Sequence, residues 1–239
     1  MNNAVFLQAR MSSTRLPGKV LLPILGEPML ARQVERIKQA TLISDVIVCT
    51  SSETTDDPIE LMCDQYNIRC FRGSLNNVLD RFYQANQAIK ADNIIRLTGD
   101  CPLTDGDIID QVIRLHLEEK NDYTSNCHPY TLPDGLDIEI MTQATLAKVW
   151  TLAECDDYRE HVTLFINKNA SLFKRGNFAY SRNYSNERWT VDYPEDFLFV
   201  DAVFNALYPI SPTFTVEDII QFLDKHPDVR KLNSKYMTS

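Results

Sequence analysis

An α/β architecture, with a mostly parallel central sheet flanked by helices, follows from three observations on this chain of 239 residues. Short apolar runs at Ala4–Leu7, Val46–Cys49, Ile68–Phe71 and Asn93–Leu97 have the length and composition of buried strands. Stretches with helical spacing separate them, so the order reads as successive βαβ units with ligands bound beyond the carboxyl ends of the strands. No internal repeat or low-complexity tract divides the chain. A single domain over 1–239, with 125–190 as a subregion of different character inserted in the second half, is therefore expected.

The first strand runs into Gln8-Ala9-Arg10, and Leu30, Val34 and Ile37 then recur at helical spacing. Between them lie Arg10, Arg15, Gly18 and Lys19. Cations at a strand-to-helix junction suit a polyphosphate, with loop amides as further donors and a glycine that lets backbone come close. A solvated basic surface loop is the competing reading, and the spacing alone leaves both open. Gly18-Lys19 is followed by Val20 rather than Ser or Thr, and no G-x-G-x-x-G occurs, so neither a Walker A loop nor the dinucleotide fingerprint is present.

Farther along, Asp100 follows Asn93–Leu97 and Thr98-Gly99, where a central strand gives way to a loop. A carboxylate there can hold Mg²⁺ against a nucleotide phosphate or merely cap a turn; the residues alone do not choose. Asp105-Gly106-Asp107 spells D-x-D, but its place before Ile108, Ile109, Val112 and Ile113 predicts a helix start. Leu136 to Ile140 alternates like a half-exposed strand and a helix is expected over 143–152. Between 158 and 190 a short helix and one or two strands are expected, with 188–191 the strand that delivers Asp192. Pro194, Glu195 and Asp196 then open a helix near 195–207, where Asp196 favours the helix dipole, and Thr215 opens a last helix to about Lys225.

Composition narrows the function. No stretch approaches the roughly 18 apolar residues of a membrane span, and Met1-Asn2-Asn3 leads straight into the first strand, so a soluble cytoplasmic protein without membrane insertion is expected. The formal charge of −9 disfavours nucleic acid as a partner. Six scattered cysteines read as reduced thiols without zinc spacing. The four histidines form no readable catalytic dyad or triad, and no G-x-S-x-G elbow is present.

Q-A-R-M-S-S-T-R-L-P-G-K at 8–19 and G-E-P-M-L at 26–30 resemble the opening of the CMP-sugar synthetases, closest to their spore-coat polysaccharide branch and related to the acylneuraminate and 3-deoxy-manno-octulosonate cytidylyltransferases. The resemblance continues in order through R-G-S at 72–74, V-L-D-R at 78–81, R-L-T-G-D-C-P-L at 96–103, P-D-G-L-D-I-E at 133–139, R-E-H-V-T at 159–163 and T-V-D-Y-P-E-D at 190–196. It implies a Rossmann-like nucleotidyltransferase fold of GT-A type and transfer of CMP from CTP to an acceptor sugar, an acidic keto sugar by analogy, with release of pyrophosphate. By the same resemblance, Gln8, Ala9, Arg10, Arg15, Lys19, Arg72, Ser74 and Thr98 would bind nucleotide, with Arg15, Lys19 and Asp100 catalytic. Asp100 and Asp192 would hold Mg²⁺, and Asp192 is ranked above Asp196. Asp134, Asp137, Arg159 and His161 would face the acceptor, with a Pro133-Asp134-Gly135 turn, the exposed face of a strand at Asp137 and an amphipathic helix with an exposed Arg159-Glu160 pair as the competing readings, and 125–190 would help to form a homodimer. The P-D-G-L-D and R-E-H-V-T elements follow the spore-coat branch rather than the synthetases of the common acids. Two rivals keep the fold and change the products: a glycosyltransferase using a nucleotide-sugar, and a catalytically idle nucleotide-binding partner.

Overall fold

The computed structural model describes residues 1–237. Its strands are β1 (Asn3–Gln8), β2 (Pro23–Ile24), β3 (Glu27–Pro28), β4 (Asp45–Ser51), β5 (Arg69–Gly73), β6 (Asn93–Thr98), β7 (Tyr123–Ser125), β8 (Glu139–Thr142) and β9 (Arg175–Asn177). All but β2 and β3, which pair as a small hairpin, form one seven-stranded sheet in the order β5-β4-β1-β6-β8-β7-β9. The β5, β4, β1 and β6 strands are parallel; β8 runs antiparallel to both β6 and β7, and β9 is parallel to β7. The expected parallel α/β sheet is therefore present, extended at one edge by antiparallel pairing.

Period-two alternation assigns each strand residue to a face. Val5 and Leu7 of β1 join one apolar cluster, whereas Ala4 and Phe6 join the other; β4 splits likewise into Val46, Val48 and Ile47, Cys49. Residues of α1 (Met29–Ile37), α2 (Asp57–Gln65), α4 (Gly106–Glu119), α8 (Pro194–Leu207) and α9 (Val216–Lys225) fill the first cluster. The second is closed by α3 (Val78–Ile89), α5 (Gln143–Leu152) and the short α7 (Leu164–Lys168), with α6 (Asp156–Glu160) alongside. Burial on both faces explains why the strands read as continuous apolar runs.

Several local expectations need correction. The ladder of β8 begins at Glu139, not Leu136, because Leu136 N donates to Pro133 O in a turn and the Asn126 side chain takes up the Leu136 carbonyl and the Ile138 amide. Residues 188–191 form no strand: Arg188 makes a single bridge to Asp134, and the following amides bond to loop carbonyls. Two short helices, α6 and α7, stand where one was expected, and β9 supplies one of the one or two strands expected there. A further short helix, α10 (Pro227–Arg230), follows α9. Asp105 does cap α4, accepting from the Asp107 and Ile108 amides, and its other oxygen accepts from Val216 N at the start of α9.

Candidate active site

The chain leaves β1 for β4 and β5 on one side, then returns to place β6 on β1's other flank. Strand order thus reverses between β1 and β6, and open parallel sheets form crevices at such a switch. A cavity of about 330 Å³ lies there, lined by Gln8 to Arg10 after β1, by Thr98 to Asp100 after β6, by Ser13, Thr14, Arg15, Lys19 and Val20, and by Asp192. Its size falls in the range of small-ligand sites.

The basic loop is fixed at both ends. Met11 N donates to the buried Asp56 carboxylate at 2.7 Å, and Gly18 N closes back onto Met11 O at 2.9 Å. Gly18, at φ +72°, supplies the left-handed turn that delivers Lys19 into the cavity. On the other side Gly99 N bonds to Gln8 O at 2.8 Å, and a Cβ there would lie 3.1 Å from that oxygen and from Ala9 Cβ. The two loops are thereby held in register, with Asp100 next in sequence.

Lys19 is buried, and its Nζ donates to Asp100 Oδ2 at 3.0 Å, Asp192 Oδ1 at 2.9 Å and Val191 O at 2.6 Å. Arg15 reaches the other oxygen of Asp192 at 2.7 Å. Burial alone would raise the Asp192 carboxyl, but the hydrogen bonds and charges of Lys19 and Arg15 outweigh it and hold the group below the usual carboxylate range. Two carboxylates separated by 92 residues thus converge on one point, together with cations of the first loop.

The backbone that presents Asp192 is assembled by the Pro133-Asp134-Gly135 turn. Trp189 N and Thr190 N both donate to Asp134 O, at 2.6 and 2.9 Å, and Val191 N donates to Asp100 O at 2.8 Å. Gly135, at φ +110°, sits so close that a Cβ would lie 2.4 Å from Thr190 N. Arg188 ties the cluster together through Asp134 at 2.8 Å, Asp196 at 3.0 Å and Asp192 at 3.4 Å. Asp196 is fully buried and, besides this pair, accepts from Asp192 N and Tyr193 N at 2.9 and 3.0 Å, so it is a scaffold carboxylate and not merely a group that favours a helix dipole.

Beside this cluster, Asp137 is half-buried, with the Tyr130 hydroxyl 3.4 Å away. Desolvation first, then repulsion from Asp134 and Glu139, push its carboxyl up to about 7. Asp134 is raised by burial and by Asp192 and Asp100, against the pull of Arg188.

Gln8, Ala9, Arg10, Arg15, Lys19, Thr98, Asp100 and Asp192 all line the one cavity. Arg72 and Ser74 lie outside its lining. The Arg72 guanidinium is committed to Asp57 at 2.7 Å, Glu60 at 2.5 Å and the Ser51 and Glu53 carbonyls, and Ser74 Oγ accepts from Asn77 N ahead of α3. Arg159 and His161 are exposed at α6, also outside the lining. Arg188, absent from the sequence-based set, is the hub of the carboxylate cluster; its place before T-V-D was the available signal. Among the described residues no group of three or more His, Cys, Asp or Glu forms a metal cage, and no helix is long and apolar enough to cross a membrane.

A sheet switch point whose two loops bring lysine, arginine and paired aspartates into one cavity is the layout of a nucleotidyltransferase, and the comparisons agree. The cytidylyltransferase family model matches residues 4–211, so the chain belongs to the cytidylyltransferase family. It is 34% identical over 236 residues to the spore coat polysaccharide biosynthesis protein SpsF of Bacillus subtilis, covering 95% of this chain and 97% of that one. To the 3-deoxy-manno-octulosonate cytidylyltransferase of Pelobacter propionicus it is 33% identical over 122 residues, 50% of this chain and 46% of that protein. A solved cytidylyltransferase from Leptospira borgpetersenii superposes with a TM-score of 0.92 at 33% identity, covering 97% of each chain. A CMP:2-keto-3-deoxy-manno-octonic acid synthetase structure, at TM-score 0.65 and 17% identity over 86% of this chain and 99% of that one, shares the fold.

Proposed function

We propose that this protein transfers CMP from CTP to an acceptor sugar, an acidic keto sugar, in a Mg²⁺-dependent step of surface polysaccharide or glycoconjugate biosynthesis. The observation that carries this reading is the convergence of Asp100 and Asp192 on the Lys19 ammonium, at 3.0 and 2.9 Å, inside a cavity that also holds Arg10 and Arg15. Two hard oxygen donors that meet at one point fit a divalent ion sharing its shell with phosphate oxygens, so Asp100 and Asp192 would hold Mg²⁺. When bound, the ion supplies charge neutralisation on the phosphates.

An acceptor hydroxyl oxygen attacks the α-phosphorus of CTP, the bond from that phosphorus to the bridging oxygen breaks, and pyrophosphate leaves while the hydroxyl proton passes to base or water. Gln8, Ala9, Arg10 and Thr98 line the nucleotide side. Arg15 and Lys19, released from their carboxylates by the incoming phosphates, stabilise the charge that grows on pyrophosphate. Asp134 and Asp137, which lie outside the cavity lining, are assigned to the acceptor side. The exposed Arg159 and His161 belong to the 125–190 excursion, which is read as the region of acceptor contact and homodimerisation.

The test is pyrophosphate release from each of the four nucleoside triphosphates, with and without Mg²⁺, against a panel of keto-acid and polysaccharide sugars. Release confined to CTP with one acceptor is expected, and Asp100→Ala should lower it at least about 100-fold, the scale of losing one electrostatic stabiliser. Cleavage of preformed nucleotide-sugars, with no pyrophosphate from CTP, would instead identify a glycosyltransferase.

A further inference from the structure

Beyond α10, residues 233–236 fold back against the segment that carries Asp192. Asn233 is fully buried, and its Nδ2 donates to Arg188 O at 2.9 Å and to Asp196 Oδ1 at 3.0 Å. Tyr236 stacks on Tyr193, ring centroids 3.8 Å apart and planes 4° from parallel, while its hydroxyl donates to Glu195 Oε2 at 2.9 Å. Lys235 reaches the other oxygen of Glu195 at 2.7 Å. The Arg15 guanidinium lies 5.1 Å from the centroid of the same Tyr193 ring. Tyr193 thus contacts both this segment and the basic loop.

The Asp192 backbone has few other supports. Its neighbours up to Val191 bond to the Asp134 and Asp100 carbonyls, but the Asp192 and Tyr193 amides depend on the Asp196 carboxylate. Asp196 is in turn oriented by Arg188 and Asn233. Lys19, Arg15 and Arg188 hold the carboxylate itself, but without a ladder strand beneath it the Asp192 backbone is placed by this small polar cluster and the Tyr193 stack.

We infer that residues 233–236 are a strap that positions Asp192 and Arg15, with Asn233 and Tyr236 as positioning residues for the metal and nucleotide phosphates. The inference rests on the reading of Asp100 and Asp192 as the metal carboxylates. Metal sites demand placement to a fraction of an ångström, so loosening a supporting contact lowers affinity while most of the fold remains.

Mn²⁺ binding in the presence of CTP, followed by electron paramagnetic resonance, tests this on the full chain. Tyr236→Ala should weaken Mn²⁺ binding about tenfold, the lower end of losses from outer-shell changes, whereas Tyr236→Phe, which keeps the stack, should stay within about twofold. Thermal melts show that each variant is folded; should Tyr236→Ala fail to fold, Tyr236→Leu, which keeps bulk without the parallel ring, gives the same reading. Unchanged Mn²⁺ affinity in the variant that lacks the ring, with Asp192→Asn abolishing binding, would overturn the strap and leave the metal reading intact. If wild-type protein with CTP binds no Mn²⁺, or binds it regardless of Asp192→Asn, the metal reading fails and takes the strap with it.

Discussion

Lys19 keeps only 6% of its surface exposed, and its ammonium has both aspartates as partners, so it performs in the free protein part of the neutralisation proposed for the ion. Removing it leaves two carboxylates facing each other. Breaking a fully buried pair costs about 3–5 kcal/mol, but Asp100 and Asp192 retain 28% and 18% side-chain exposure, so Lys19→Met should destabilise by nearer to about 2 kcal/mol. Added Mg²⁺ should then raise the variant's melting temperature more than the wild type's; equal shifts would mean that lysine and ion do not share a place. Asp137 makes a pH prediction. Its folded carboxyl titrates at about 7 against 3.8 as the ordinary value, so the folded state holds more proton between these limits and stability falls as pH rises through them. Asp137→Asn should therefore be more stable than wild type by on the order of 1–2 kcal/mol at pH 8, after allowance for solvent screening, with the gain gone below about pH 4. Melts across pH 4–8 check both sign and window. At this scale the basic loop was legible because three cations share ten residues, 10–19, whereas the commitment of Arg72 to Asp57 and Glu60 was not, since those partners become neighbours only when α2 packs beside β5.

Elements were easiest to read where period and cap agree. The helices at 143–152, at 194–207 and after Thr215 lie where apolar spacing and the starting residues place them, because both signals are local. The segment 188–191 misleads for the complementary reason: its residues have strand character, yet Asp134 and Asp100 offer loop carbonyls in place of a neighbouring strand. Gly135 is the joint between these pieces. Gly135→Ala would put a methyl carbon 2.4 Å from Thr190 N at a φ that L residues avoid, so a loss of at least about 2–3 kcal/mol is expected, with CTP binding weakened through displacement of Asp192. Denaturant melts with nucleotide titrations measure both effects, and wild-type values for either would show that the turn can shift away.

Across the whole molecule, a charge of −9 surrounds a cavity whose first loop is cationic. CTP must be drawn in by local charge against the global field, so its affinity should fall as ionic strength rises from about 0.05 to 0.5 M, more steeply in wild type than in Arg10→Gln. Calorimetry at several salt concentrations decides this; parallel salt curves would remove Arg10 from the phosphate field. From the sequence alone came the α/β class, a loop suited to phosphate and Asp100 at a strand end, each carried by local pattern, while the resemblance to the CMP-sugar synthetases, carried by motifs in order along most of the chain, singled out Asp192 as its partner. Only tertiary structure brought residue 19 between residues 100 and 192, made Arg188 the hub of the acidic cluster and laid Tyr236 on Tyr193. The Lys19 contacts, the Tyr236 stack and the Arg188–Asp134 pair join residues tens to more than a hundred positions apart, and no local pattern encodes them because they exist only once the sheet and its loops are assembled.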